Sequence, residues 1–122
     1  MKASKEFFPQ RPVLRPSIYA YADLNPLYES LLKVGYTETD VEKRVAQQYP
    51  IRRPDGLQPY KIVLVESAMR NDGTCFTDHA VHRMLARRKV DNAGGEWFRC
   101  GVEEIRAAII AVKTEPFILK TA

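Results

Sequence analysis

Scarcity sets the first limits. The chain holds only two cysteines, Cys75 and Cys100, in 122 residues. Small secreted domains carry a denser disulfide framework, so a reducing, cytoplasmic setting is the expectation. No apolar run approaches the ~20 residues that span a bilayer. The opening stretch from Met1 to Glu6 has no apolar segment of a secretory leader. A glycine-rich phosphate loop and a nucleophile elbow are both missing, which removes the readings of a P-loop nucleotide hydrolase and of a serine hydrolase. No internal repeat or low-complexity tract occurs, so the chain is not a solenoid or a linker.

What is present describes one globular domain. Hydrophobic residues make up 45% of the chain and charged residues 28%, a balance that supports a single modest core. The formal net charge of +4 leans toward nucleic acid or another polyanion as partner.

Residues 1–16 carry Pro9, Pro12 and Pro16 with Arg11 and Arg15 between them. This spacing predicts an extended arm, pinned to the domain by Phe7, Phe8, Val13 and Leu14. The domain proper is expected over 17–114. Ser17–Ala22 reads as a strand, Asp23-Leu24-Asn25-Pro26 as a turn, and Leu31–Tyr36 as the returning strand of a hairpin. Alternation puts Tyr19 and Tyr21 on one face of the first strand and Ile18 with Ala20 on the other. In the second strand Lys33 and Gly35 share a face, opposite Leu32, Val34 and Tyr36. With the apolar sets turned to the core, Tyr19 and Lys33 meet on the far side. An ammonium beside a phenol favours the phenolate, which a general base near neutral pH requires.

A helix is expected over 40–48. Thr39 and Glu42 have the spacing of a capping box, and Val41 and Val45 can face a core. Arg44 projects from a neighbouring face of this short element, where a guanidinium can meet a phosphate or simply remain solvated. Arg52-Arg53-Pro54-Asp55-Gly56 is a loop, and Tyr60–Glu66, rich in β-branched residues, is expected as a central strand. Phe76–Arg88 reads as a helix capped by Thr77, with Phe76 stapled to Val81 and a buried stripe of Val81, Met84 and Leu85.

On that helix Asp78 and His82 lie four apart, setting a carboxylate beside an imidazole. A hard cation such as Mg²⁺ would take the carboxylate oxygen. Equally, Asp78 can complement the helix N-terminus with His82 as its hydrogen-bonded neighbour. Cys75, His79, His82 and Cys100 offer a zinc alternative, although their spacing departs from paired zinc clusters. Asp91–Gly95 reads as a loop leading into Glu96-Trp97-Phe98-Arg99, where Phe98 closes the core. Val102, Ile105, Ile109 and Val112 recur at helical spacing through Gly101–Lys113. The tail at 115–122, with Pro116-Phe117-Ile118-Leu119, is expected to lead into a further domain.

These motifs together resemble one superfamily. Ser17-Ile18-Tyr19 stands where the GIY-YIG endonucleases have Gly-Ile-Tyr, and Lys33-Val34-Gly35 where they have Tyr-Ile-Gly. Agreement is closest with a phage-type branch patterned Lys-Ile-Gly-x-Thr, Arg, Glu-x-x-x-His and Gly-Glu-Trp-Phe. Here those positions are Lys33–Thr37, Arg44, Asp78–His82 and Gly95–Phe98. The resemblance covers residues 17–99. The stretch also looks like the N-terminal module of some DEAD/DEAH-type helicases in bacterial restriction or defence systems.

The resemblance implies an α+β fold, a small three-stranded antiparallel sheet flanked by helices. It implies hydrolysis of a DNA phosphodiester with one divalent metal, Mg²⁺ or Mn²⁺. By it, Tyr19 is the general base on the attacking water, assisted by Lys33, and Arg44 neutralises charge on the scissile phosphate. Asp78 holds the metal, His82 orients the phosphate or a metal-bound water, and Glu96 braces the group from the sheet end. Asp78 stands where glutamate is usual and is one methylene shorter; Ser17 replaces the first glycine. The reading requires these groups to converge on one open surface. The alternative in the same fold is a non-catalytic module that binds nucleic acid or protein.

Overall fold

The computed structural model describes residues 14–116; Phe7, Phe8, Val13 and the apolar tail residues 117–119 lie outside them. β1 (Ser17–Asp23) and β2 (Leu31–Thr37) form the expected hairpin, joined through a 3₁₀ turn at Pro26–Tyr28. α1 (Val41–Ala46) and β3 (Tyr60–Ser67) follow, then α2 (Asp78–Arg87), β4 (Asp91–Gly94), β5 (Trp97–Arg99) and α3 (Val102–Thr114). The sheet has five antiparallel strands in the order β3-β1-β2-β5-β4, which corrects the expected three.

The two added strands escape a pattern-based reading for a physical reason. β4 is Asp-Asn-Ala-Gly, exposed throughout, so it shows no apolar alternation. Its pairing is set by turn chemistry instead. Gly94 and Gly95 take φ of 133° and 54°, and Asn92 ties the turn through Nδ2 to the Gly95 carbonyl at 2.9 Å. β3 also differs from expectation, because it lies at the sheet edge and β1 and β2 are its centre. A β-branched run reports a pleated, half-buried surface, and an edge strand meets that description: Leu64 is buried while Val65 is 53% exposed.

Each face of the sheet has its own apolar cluster. On one, Ile18, Ala20, Leu32, Val34 and Leu64 pack with Val81 and Leu85 of α2 and Ile105 and Ile109 of α3. The other is aromatic: Tyr19, Tyr21 and Tyr60 pack with Val41 and Val45 of α1, with Trp97 beside them. Six residues cannot hold a helix unaided. α1 persists because its two valines are buried and because the Asp40 side chain accepts the Glu42 N–H at 3.0 Å. Asp40, not Thr39, is therefore the cap; the Thr39 N–H turns back to the Thr37 hydroxyl.

The hairpin register pairs Tyr19 with Gly35, and the tyrosine ring lies across the glycine. A Cβ on Gly35 would stand 2.5 Å from both Cζ and the hydroxyl oxygen of Tyr19. Gly35→Ala is therefore expected to lower unfolding free energy by about 1–3 kcal/mol in urea titrations. In a Tyr19→Ala background, which empties that space, the same substitution should cost much less. An equal cost in both backgrounds would place the strain elsewhere.

Candidate functional site

The polar centre of the aromatic face is Gln48, just beyond α1, held by its own N–H to the Val45 carbonyl at 2.9 Å. Its side chain joins three groups on two strands. Oε1 accepts from the Tyr21 hydroxyl at 2.7 Å and from the Lys33 ammonium. Nε2 donates to the Tyr19 hydroxyl oxygen at 2.9 Å. Lys33 also pairs with Glu96 at 3.4 Å, and its ammonium lies 5.8 Å from the Tyr21 ring centre.

Tyr19 and Lys33 thus share a face, as strand parity requires. The expectation that the ammonium acts directly on the Tyr19 phenol needs correction: among the described residues the two are linked through the Gln48 amide. Tyr19 itself is 2% exposed. Arg44 lies on α1 one residue before buried Val45, on this same side of the sheet; it is exposed, and among the described residues no hydrogen bond or ion pair engages its guanidinium.

Asp78 and His82 are elsewhere. Both sit on α2, which packs on the opposite face. Asp78 is buried at the first turn of that helix, where a negative charge complements the helix dipole. Its Oδ2 lies 3.9 Å from His82 Nε2. The same Nε2 is 2.8 Å from the Val34 carbonyl oxygen, which can only accept, so Nε2 carries the hydrogen and donates it. His82 is therefore occupied in docking α2 on β2, which displaces the role of orienting a phosphate through that nitrogen.

The requirement of one shared open surface is not met. Tyr19, Lys33 and Glu96 are linked on one side of the sheet, under the helix that carries the exposed Arg44, and Asp78 with His82 belongs to the helical layer on the other. The two groups meet at the edge of β2. In an antiparallel strand a residue's N–H and C=O point to the same neighbour. The Val34 N–H goes to the Glu96 carbonyl at 3.0 Å, so the Val34 carbonyl faces the β5 side just where β5 has run out, and His82 takes it. Tyr19 crosses the next residue, Gly35, from the other face. Bond geometry bounds the gap between the Tyr19 oxygen and His82 Nε2 at about 10 Å.

Asp78 is the carboxylate that α2 contributes near this edge. Mg²⁺ is commonly held by one or two carboxylates with water and phosphate oxygens completing its shell, so a single carboxylate is compatible with a hard cation. The residues do not fit the zinc alternative. Among the described residues no group of three or more His, Cys, Asp or Glu is placed to hold a metal.

A family model, the T5orf172 domain, matches residues 18–113, from the second residue of β1 to the last turn of α3. The chain belongs to the T5orf172 domain family. T5orf172 domains are phage-associated and related to nuclease-like folds. Comparisons with curated proteins and with solved structures gave no match. Among the described residues of this T5orf172 domain no helix is long and apolar enough to cross a membrane.

Sequence reasoning passed over Gln48. The signal was there: Val41, Val45 and Gln48 fall at i, i+4 and i+7, so Gln48 is a polar residue on the buried stripe of the expected helix.

The phenols around Gln48 give the domain an alkaline limit. Burial pushes Tyr21 up to about 12, and burial together with the Tyr49 hydrogen bond to Asp23 at 2.7 Å pushes Tyr49 up further. A group whose folded pKa is raised contributes stability below its unfolded value, and that stability is lost as pH climbs toward the folded one. Stability should therefore fall as pH rises from the ordinary 10.0 of tyrosine toward 12. Tyr21→Phe should lower stability at neutral pH, through loss of its bond to Gln48, and flatten the alkaline fall. Urea unfolding across that pH range measures both.

Proposed function

We propose that this T5orf172 domain is a metal-dependent DNA endonuclease of GIY-YIG type, with its site astride the open edge of β2. One observation carries the reading. The phenol of Tyr19 and the imidazole of His82, on opposite layers, reach consecutive residues of a single strand, Gly35 and Val34, and Asp78 Oδ2 stands 3.9 Å from that imidazole. A scissile phosphate lying along that edge has Lys33 and Arg44 on one flank and Asp78 on the other.

In this reading the water that attacks phosphorus gives its proton to the Tyr19 oxygen, while Tyr19 passes its own hydrogen to a phosphate oxygen. One P–O bond forms, the bond to the leaving sugar oxygen breaks, and solvent protonates that oxygen. Lys33 and Arg44 neutralise charge on the phosphate. Asp78 would hold a divalent cation, which would supply Lewis-acid stabilisation of the phosphate. Glu96 positions the Lys33 ammonium through its ion pair. In a longer chain the domain would act as the cutting module of a restriction or defence helicase.

A second reading has its own observation. Tyr19 is 2% exposed and Asp78 8%, values that suit structural roles and a domain that binds nucleic acid without cutting it. Nicking of supercoiled plasmid in Mg²⁺ or Mn²⁺ separates the two. Cleavage is expected from the wild type, with a loss of at least about 10²-fold in Arg44→Ala and in Asp78→Ala. Retained cleavage in both variants would assign the activity to another site. A metal-independent gel shift with no cleavage would establish the binding module.

A further inference from the structure

Gln48 does more than fill the space beneath α1. The orientation of its amide follows from its neighbours. Lys33 is a pure donor, so the atom facing it must be the carbonyl oxygen. Tyr21 approaches the same oxygen at 2.7 Å and, with burial raising its pKa to about 12, remains a donor at working pH. With Oε1 fixed by two donors, Nε2 must turn to Tyr19. An N–H aimed at the phenol oxygen leaves the phenol's own hydrogen to point away from Gln48, and among the described residues no acceptor takes it.

We infer that Gln48 is the positioning residue of the site, which holds the Tyr19 oxygen as an acceptor from the amide and so presents its hydrogen outward, toward the phosphate. The inference rests on the nuclease reading above and deepens it. A bare phenol could rotate its hydrogen inward or outward; the amide removes that freedom before substrate arrives. Among the described residues, the other charged or titratable groups around this cluster include Lys33 on β2, Arg44 on α1, Tyr28 beside Trp97, Glu96 before β5, Tyr49 after α1, Tyr60 on β3 and Asp23 at the end of β1. Of these, only Lys33 touches the amide itself.

The isosteric substitution Gln48→Glu isolates this role. Glutamate keeps the size of the side chain and its acceptance from Lys33 and Tyr21, but an oxygen replaces the N–H that faced Tyr19. Tyr19 must then turn its hydrogen inward. Two measurements follow on the folded variant, checked by its thermal melt. In Cζ-labelled tyrosine NMR without DNA, the Tyr19 resonance, assigned with Tyr19→Phe, should move. In the nicking assay kcat should fall about 10²-fold while KM stays within about twofold.

An unmoved Tyr19 resonance, or a raised KM with unchanged kcat, overturns the inference. Should Gln48→Glu not fold, Gln48→Met removes the same donor and is read in the same way. A wild type that never cleaves defeats the nuclease reading, while the resonance still decides the link between Gln48 and Tyr19.

Discussion

A phenol laid flat across a glycine is the contact on which this domain turns. The hairpin of β1 and β2 places Tyr19 opposite Gly35, and the absence of a side chain at Gly35 lets the ring lie close against the backbone. With the ring in that position its oxygen comes within reach of Gln48, and through Gln48 of Lys33 and Tyr21. A side chain at residue 35 would displace the ring and with it the Tyr19 bond to Gln48. The glycine thus joins strand packing to the chemistry of the site.

The aromatic face explains how so small a helix is held in place. Tyr21 lies in edge contact with Tyr49, Tyr60 and Trp97, with ring centres 5.9, 6.0 and 5.7 Å away. Such contacts add about 0.5–1.5 kcal/mol each beyond their buried area. Tyr49 is anchored in turn by its hydroxyl to Asp23, so the chain leaving α1 is tied back to the end of β1. That tie carries Gln48 to its position and leaves Arg44, on the outer surface of α1, free of internal partners among the described residues.

The opposite face follows a different logic. There α2 and α3 bury aliphatic residues against the sheet, and His82 fastens α2 to the Val34 carbonyl, which β5 leaves uncovered. The divided placement of Tyr19 and Asp78 is a consequence of strand parity, because residues that share the Tyr19 face cannot also meet the helix carrying Asp78. Only at an uncovered strand edge can groups from both layers address the same space.

The local facts were legible in the residues alone. Alternation in Ser17–Ala22 and Leu31–Tyr36 determined which side chains share a face, and the apolar spacing in 76–88 and 101–113 determined the two longer helices, because both are periodic properties of short stretches. Tertiary structure alone decided the rest. It set β3 at an edge, since propensity does not know its neighbours, and built β4 and β5 from turn geometry rather than from apolar pattern. It also interposed Gln48 between Lys33 and Tyr19 and put Asp78 in the other layer, because the distance between residues far apart in the chain depends on how layers stack, which no local periodicity encodes.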